Sequence, residues 1–405
     1  MIASAAKIRS LLSSGGVYVI GNSLLGIILP LRMEAEGFPI FLIGIVMTAY
    51  YAGQAIGSHF SKNIIFGVGH IRAFTVFAAA AAATTLIYDP FFSAPAWFVL
   101  RAINGFCFAG MATTLESWLN DESTKQTRGK ILGLYMTVQF LSVAAGQLLV
   151  NIADVRQPDL FMLAAGLVSL SLIPVALTQL PEPHLGKYHP FGIVSLFRKS
   201  PIGAAGAMTA GVLLGSFYAM GVVFAYETGL SVSEVSIFMG VAILGGFFIQ
   251  WPVGKLSDLF DRRLVLIGIT ALPPLAWALQ ILFNFNGVAP QGLYFIALIL
   301  GAAIASVYPI SVAQTFDRLE RYEYVSASGG LVLSYAIGAT VGPLIATAAM
   351  STFGPQIFLG FEAVIAAFFS VIVSYSMFKR PRPAPIKREP FVPVPTPSQA
   401  AVETD

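Results

Sequence analysis

Residues 290–314 read PQGLYFIALILGAAIASVYPISVAQ, which is 25 consecutive positions without a charged side chain. The hydrocarbon core of a bilayer is about 30 Å thick, and about 20 apolar residues of α-helix cross it. Because no water is present there to bind free backbone N–H and C=O groups, a run of this length must be helical. The stretch therefore predicts a membrane-spanning helix.

Eleven further apolar runs of about 18 residues or more accompany it. The twelve predicted spans are residues 11–31, 40–60, 71–88, 94–118, 130–151, 159–179, 202–225, 234–254, 263–284, 290–314, 325–349 and 355–378. The chain is 56% hydrophobic and 11% charged, whereas soluble domains carry about 25% charged residues. The sequence predicts an all-α polytopic membrane protein.

Basic residues divide unevenly among the loops that these spans leave. With the N-terminus inside, twenty of the 23 Lys and Arg residues fall in cytoplasmic segments, Arg32 and Arg156 fall outside, and Arg101 lies within a span. Short loops rich in Lys and Arg stay in the cytoplasm, which is the positive-inside rule. The count predicts that both termini are cytoplasmic.

The longest polar link separates the first six spans from the last six. Its stretch HPFGIVSLFRKS is typical of a hinge followed by a short helix at the membrane surface. We therefore expect an N-terminal six-helix half over residues 1–180, a cytoplasmic linker over 181–200 and a C-terminal six-helix half over 201–378. Residues 379–405 are rich in proline with a basic start, which predicts a disordered cytoplasmic tail.

The two halves carry an internal repeat. An offset of about 196 residues aligns small and polar residues that are expected at equivalent depths in corresponding spans. The pairs are Gly44 with Gly240, Gln54 with Gln250, Gly105 with Gly301, Asp121 with Asp317, Gly146 with Gly342 and, one residue further on, Gly57 with Gly254.

Several motifs accompany the repeat. GKLSDLFDRR covers residues 254–263, LRAINGFCFAG covers 100–110 with an R-x-x-x-G pattern, and TLESWLND, TRGKILGLYM, IQWPVGKLSD and LVLSYAIGATVGP occur along the chain. Together they resemble the YcaD-type branch of the major facilitator superfamily over all twelve spans. The resemblance implies two six-helix pseudo-repeats and a secondary transporter that works by alternating access.

The resemblance also implies a gate on the cytoplasmic side. In GKLSDLFDRR the glycine would allow close helix approach, the first aspartate would lie at the N-terminus of the turn that links the two helices, and the two arginines would return charge to the partner helix. The first half departs from the pattern, with Ser61 where the aspartate is expected. The predicted gate residues are Glu116, Asp121, Arg128, Gly254, Asp258, Arg262 and Arg263. The predicted helix-packing residues are Gly105, Gly338, Gly342 and Pro343.

Arg101 is the strongest candidate for a binding residue. A charge at the centre of a span costs about 2.5–3.5 kcal/mol on insertion scales, so the guanidinium should face the interior. It either binds an anionic substrate group or influences a proton site; alternatively, it snorkels to the outer interface. Polar side chains near the middle of other spans could contact substrate or join helices. They are Asn22, Tyr50, Gln54, Asn104, Gln139, Tyr218, Tyr308 and Tyr335.

Other kinds of chemistry lack a signature in the sequence. Cys107 is the single cysteine, the four histidines lack metal-ligand spacing, and no nucleotide-binding motif occurs. We therefore expect no metal, no cofactor, no nucleic-acid partner and no enzymatic activity, with a proton gradient as the energy source. Glu362, in the last span, receives no role.

The function predicted on these grounds is proton-coupled transport of a small polar or amphipathic organic molecule. Uptake and efflux both remain open. The setting we expect is a monomer in the lipid bilayer of a bacterial inner membrane. The alternative is a non-transporting membrane sensor or a membrane-embedded enzyme.

Overall fold

A computed structural model describes residues 2–124, 127–178, 193–282, 290–320 and 323–379. Within these ranges the chain is helical, without a β-strand. Twelve segments are long and apolar enough to cross a membrane. The predicted class, an all-α polytopic membrane protein with twelve spans, is confirmed.

The helices are α1 (Ile2–Ala35), α2 (Ile40–Val68), α3 (His70–Ile87), α4 (Ala94–Asp121), α5 (Arg128–Leu148), α6 (Asp159–Leu170), α7 (Leu172–Ala176), α8 (Ile193–Lys199), α9 (Pro201–Glu227), α10 (Val232–Leu259), α11 (Arg262–Thr270), α12 (Leu272–Leu282), α13 (Pro290–Phe316), α14 (Tyr324–Phe353) and α15 (Ile357–Lys379).

The chain divides into two compact units, Met1–Lys187 and Tyr188–Asp405, which we call unit 1 and unit 2. Unit 1 contains α1 to α7, and unit 2 contains α8 to α15. Most of the predicted linker, residues 181–192, and the tail beyond Lys379 lie outside the described residues. Basic residues cluster at one end of each unit, with Lys7 there in unit 1 and Arg262 there in unit 2. We call this end the basic end.

Two of the twelve spans are each divided into two α-helices, and prolines follow both divisions. The span Asp159–Ala176 is divided at Ser171 into α6 and α7, and the span Arg262–Leu282 is divided at Ala271 into α11 and α12. Pro174 follows the first break, and Pro273 and Pro274 follow the second. A proline inside a helix removes one backbone hydrogen bond and its ring clashes with the carbonyl one turn earlier.

Side-chain caps fix where several helices begin. Ser93 precedes α4, and its hydroxyl accepts a hydrogen bond from the backbone N–H of Ala96. Ser231 precedes α10 and forms a reciprocal capping box with Glu234. Asp261 precedes α11 and accepts from the N–H of Arg263. These caps satisfy backbone donors that the first helical turn leaves unpaired.

In unit 1, α2 and α4 cross with their backbones in direct contact. A Cβ atom on Gly53 would lie 1.9 Å from the carbonyl oxygen of Ala102, and one on Gly105 would lie 1.9 Å from the carbonyl oxygen of Tyr50. Only glycine fits at these positions. Close approach of this kind lets helices associate in lipid through van der Waals contact.

Unit 2 repeats this crossing between α10 and α13. A Cβ atom on Gly245 would lie 2.4 Å from the carbonyl oxygen of Leu298, and one on Gly301 would lie 1.9 Å from that of Ala242. A second crossing also recurs: Gly342 on α14 faces the backbone of Val212 on α9 as Gly146 on α5 faces that of Ile20 on α1. These contacts show which residues of the two units correspond.

The contacts correct part of the predicted repeat. Gly105 corresponds to Gly301 at an offset of 196, as predicted, but Gly53 corresponds to Gly245 at an offset of 192. The chain between the two crossing glycines is therefore four residues longer in unit 2 than in unit 1. This difference moves α10 by about one helical turn relative to the predicted offset of 196 residues. The predicted pairs on α2 and α10 are out of register; they are Gly44 with Gly240, Gln54 with Gln250 and Gly57 with Gly254.

Candidate functional site

The guanidinium of Arg101 lies inside unit 1. It is on α4, about 10 Å along the axis from the start of that helix, and the residue is 4% exposed. Its Cζ atom lies 4.4 Å from the centre of the Tyr50 ring on α2, a cation–π arrangement. Gly26 on α1 leaves room beside it, since a Cβ there would lie 3.8 Å from Nη2. The burial does not fit the snorkelling alternative.

This guanidinium is short of partners. Its Nε and Nη1 atoms are buried and make no hydrogen bond, and no carboxylate lies within 4.0 Å of it among the residues that the structure describes. A buried charge without a partner costs several kcal/mol. Arg101 therefore presents a buried positive charge whose Nε and Nη1 donors make no hydrogen bond to a described residue, a group that attracts carboxylates and phosphates.

Asn22 extends this polar region onto α1. Its side-chain amide donates to the hydroxyl of Tyr50 at 3.1 Å. Asn22 also lines a small internal cavity with Thr85, Asn104 and Phe108. Gln54 lies on α2 one turn beyond Tyr50 and is half-buried. The structure thus brings Arg101, Tyr50 and Asn22 together; we call these three residues the Arg101 cluster.

Asn104 serves a different purpose. It is buried, its amide donates to the Thr84 hydroxyl at 2.9 Å and to the carbonyl of Ala81 at 3.3 Å, and its carbonyl accepts from the Tyr88 hydroxyl at 2.8 Å. These contacts join α4 to α3 and to the residues just after it. The contacts favour the helix-joining interpretation of Asn104 over the substrate-binding one.

A second polar group lies nearer the basic end of unit 1. The Tyr135 hydroxyl donates to Glu116 Oε1 at a long distance of 3.5 Å. Gln139 is placed beside the hydroxyls of Tyr18 and Tyr135. Glu116 is therefore connected to α5 and is not within reach of Arg101, from which it is separated by about 22 Å of helix.

Unit 2 has apolar residues where unit 1 has the Arg101 cluster. By the crossing contacts described above, Ala297 takes the place of Arg101, Ala242 that of Tyr50 and Leu214 that of Asn22. The predicted tyrosines of unit 2 lie elsewhere. Tyr308 and Tyr335 are buried and pack edge to face with ring centres 5.3 Å apart, and Tyr218 packs beside Phe217.

The predicted gate motif in unit 2 forms ion pairs within that unit. Arg262 lies 3.2 Å from Asp317 and 3.8 Å from Asp258, and Arg263 lies 2.8 Å from Asp261. Asp258, with a side chain 43% exposed, is the most exposed of the three carboxylates. Gly254 is buried one turn before it. The motif therefore joins the ends of α10, α11 and α13.

The predicted gate residues of unit 1 are only partly described. Asp121 is exposed at the end of α4, and the side chain of Arg128 lies outside the described residues. Lys7 on α1 forms an ion pair with Glu122 at 2.8 Å. This pair was not predicted, because α1 begins at Ile2, nine residues before the predicted start of the first span.

A second missed pair joins α8 to the start of α14 in unit 2. The ammonium group of Lys199 donates to Glu323, which also accepts from the backbone N–H of Glu320. Burial of Glu323 opposes ionisation, but these hydrogen bonds outweigh it and hold its pKa below the usual range. The two residues are separated by 124 positions, so no local spacing rule could have paired them.

Glu323 should make the stability of unit 2 depend on pH. A folded-state pKa below the unfolded value contributes stability above the unfolded pKa of about 4.3, and this contribution is lost as pH falls through the folded value. Glu323→Gln should lower the unfolding temperature by a few degrees at neutral pH, since such a pair contributes up to about 1 kcal/mol. The difference from wild type should vanish in acid. Thermal unfolding in detergent over a pH series measures it.

Glu320→Gln is the matched control, because Glu320 is an exposed neighbour. It should leave the pH profile unchanged. A difference between wild type and Glu323→Gln that stays constant from neutral to acidic pH would contradict the assignment.

Comparison with known proteins agrees with this geometry. Residues 11–279 and 202–401 match the profile of the Major Facilitator Superfamily. The chain is 26% identical over 382 residues to the MFS-type transporter YcaD of Escherichia coli strain UMN026, which covers 92% of this chain and 96% of that protein. Twelve spans in two six-span units define a polytopic helical membrane protein. The chain belongs to the Major Facilitator Superfamily, and the resemblance to its YcaD-type branch is confirmed.

Solved structures show the same fold at low identity. A variant of the nucleoside transporter NupG superposes with a TM-score of 0.77 at 13% identity, covering 92% of this chain and 100% of that one. A bacterial homologue of the human lysosomal transporter Spinster, inward-facing and occupied, gives 0.72 at 14% identity, with 94% and 97% covered. The protein is thus a membrane transporter by family and fold.

Proposed function

We propose that this protein is a proton-coupled secondary transporter of a small polar or amphipathic organic molecule with an anionic group. The Arg101 cluster is the observation that supports this proposal. A buried guanidinium with N–H donors that make no hydrogen bond to the described residues can bind a carboxylate, and the neighbouring tyrosine ring can hold the apolar part of the same molecule.

Binding can be tested with matched pairs of molecules that differ only in charge. Hippurate and its amide, hippuramide, form such a pair. A ligand that binds only the folded protein increases the free energy of unfolding, by about 2.7 kcal/mol when its concentration is a hundred times the Kd. The unfolding temperature rises accordingly. We expect hippurate-type carboxylates to stabilise the purified protein and their amides to do so much less. Equal effects of both would contradict the anionic assignment.

Coupling can be tested in proteoliposomes with an imposed pH gradient. A carboxylate identified by stabilisation should accumulate against its own gradient, and a protonophore should collapse that accumulation. Liposomes without protein control for passive permeation. Flux of the carboxylate that ignores the pH gradient would contradict proton coupling while leaving transport itself intact.

We further propose that the protein lies in a bacterial inner membrane with both termini in the cytoplasm. The uneven distribution of Lys and Arg supports this orientation. Reporters fused after residue 405 and within residues 181–200 should report the cytoplasm, and one inserted at residues 34–37 should report the outside. A reversal at any of the three positions would contradict the topology.

A further inference from the structure

Glu362 on α15 is the most deeply buried acidic side chain among the described residues, with 0% exposure. Three other acidic residues are also buried, and each has a basic partner: Asp261 has Arg263, Asp317 has Arg262 and Glu323 has Lys199. Within the described part of the chain Glu362 has none. Its burial therefore needs a different explanation from theirs.

The surroundings of Glu362 offer one hydrogen-bond partner. Its Oε1 atom lies 2.5 Å from the hydroxyl of Ser216 on α9, and its Oε2 atom makes no hydrogen bond to any described residue. Ser216 is itself fully buried. Aromatic rings line the contact nearby, with Phe358 of α15 packed 5.4 Å from Phe224 of α9.

No titratable group on the neighbouring elements makes a hydrogen bond or an ion pair with Glu362 in the described structure. The elements packed against α15 are α9, α11, α12 and α14. Arg262 and Arg263 of α11 are engaged at the basic end, and Glu227 of α9 lies about 16 Å along the helix from Ser216. The described helix α12 carries no titratable side chain. The remaining groups are Tyr218 and Tyr226 on α9, Tyr324 and Tyr335 on α14, and Tyr375 and Lys379 on α15 itself.

The count of protons at Ser216 favours a neutral Glu362. The Ser216 oxygen lies 2.5 Å from the carbonyl oxygen of Val212, as well as 2.5 Å from Glu362 Oε1. One hydroxyl proton cannot make a short, linear hydrogen bond to both acceptors. When Ser216 donates to the carbonyl one turn earlier, as buried helical serines commonly do, the short contact with Glu362 requires a proton on the carboxyl group. An ionised carboxylate here would also be an uncompensated buried charge, which is far more costly than a neutral acid.

We propose that Glu362 is a proton-binding site of unit 2, which holds a proton in this state and releases it in another state of the transport cycle. Release breaks the carboxyl O–H bond and passes the proton to water, which must reach the contact between α15 and α9. Glu362 begins the second turn of α15 and lies about 8 Å from the end opposite the basic end, so the path for water is short. Ser216 positions the acid. This inference rests on the proposed proton coupling and names its carrier.

Infrared spectroscopy of the purified protein tests the site without any transported molecule. A protonated carboxylic acid gives a C=O stretching band that a carboxylate and a glutamine side chain lack. At neutral pH wild type should show this band, Glu362→Gln should lose it, and the band should weaken reversibly in alkali. Ser216→Ala should keep the band but shift it to higher frequency, because the acid loses its hydrogen-bond partner. Glu227→Gln is the matched control, since Glu227 is exposed on the same helix as Ser216, and should leave the band unchanged.

Two results would overturn the proposal. One is a neutral-pH spectrum in which wild type and Glu362→Gln do not differ, since Glu362 would then be ionised. The other is a band that persists at every pH at which the protein stays folded, since the proton would then never leave. Glutamine is neutral and close in shape to the protonated acid, so Glu362→Gln should fold.

The same variants separate this inference from the proposed function. If hippurate flux in wild-type proteoliposomes ignores the pH gradient, proton coupling fails while the infrared band still identifies a proton site. If wild-type flux follows the gradient and Glu362→Gln follows it equally, coupling stands and Glu362 is not its carrier.

Discussion

Arg101→Ala is expected to weaken binding of the carboxylate strongly and to abolish its pH-driven accumulation while leaving the protein folded. A hydrogen bond to a charged group contributes about 1.5–3 kcal/mol, so losing this contact should weaken binding by about tenfold to about 150-fold. Because the guanidinium's Nε and Nη1 atoms make no hydrogen bond to any described residue, its removal should change the unfolding temperature by only a few degrees. Thermal stabilisation by hippurate and flux in proteoliposomes measure the two effects.

Two further substitutions make this test specific. Arg101→Lys keeps the charge but loses the planar fork, so it should retain partial binding if charge alone matters and little if two hydrogen bonds are needed. Arg156→Ala removes an exposed arginine of the same unit and should behave as wild type. Normal accumulation by Arg101→Ala would remove Arg101 from the binding site.

Gly105→Ala is expected to destabilise unit 1 severely. The new methyl group would lie 1.9 Å from the carbonyl oxygen of Tyr50 and 3.0 Å from the backbone nitrogen of Gln54. Backbone atoms cannot rotate away as side chains can, so α2 and α4 must separate over the whole crossing. Overpacking costs about 1–3 kcal/mol even where side chains can adjust. We expect a loss of at least this size, seen as a lower unfolding temperature and a reduced yield of monodisperse protein.

Gly133→Ala on α5 is the matched control. A Cβ atom there would meet nothing within 4 Å, and alanine is favoured over glycine in a helix by about 1 kcal/mol. This variant should be as stable as wild type or slightly more so. Equal stability of the two alanine variants would show that the α2–α4 crossing is not close-packed.

The spans could be predicted from the sequence because each is set by one local property, the length of a predominantly apolar run. The breaks at Ser171 and Ala271 have local causes too, in the prolines that follow them. The register of α10 against α13 is different, since it depends on which backbone carbonyl each glycine meets. Glycine matches alone fit several registers one turn apart, so the predicted pairs on α2 and α10 were wrong.

In the candidate site, too, some features could be predicted from local sequence and others depend on contacts between helices. Arg101 stands out in the sequence because a charge in an apolar span needs an explanation. Its contact with Tyr50 follows from the crossing of α2 and α4, which places residue 101 one turn before the glycine that touches the Tyr50 backbone. Asn22 and Asn104 looked equivalent in the sequence. Only the hydrogen-bond partners separate an amide beside the cluster from one that joins α3 to α4.

The backbone contact between α2 and α4 has a consequence for how the protein responds to its lipid surroundings. Two helices held by contact between a carbonyl group and a glycine have no side chains between them to compress. They should therefore move as one rigid body when the bilayer becomes thicker or thinner. The two divided spans, α6 with α7 and α11 with α12, lack the backbone hydrogen bonds that their prolines cannot donate and can change tilt at the break. We expect hydrophobic mismatch to be absorbed by these two spans, and lipid chain length to alter them before it alters the crossings.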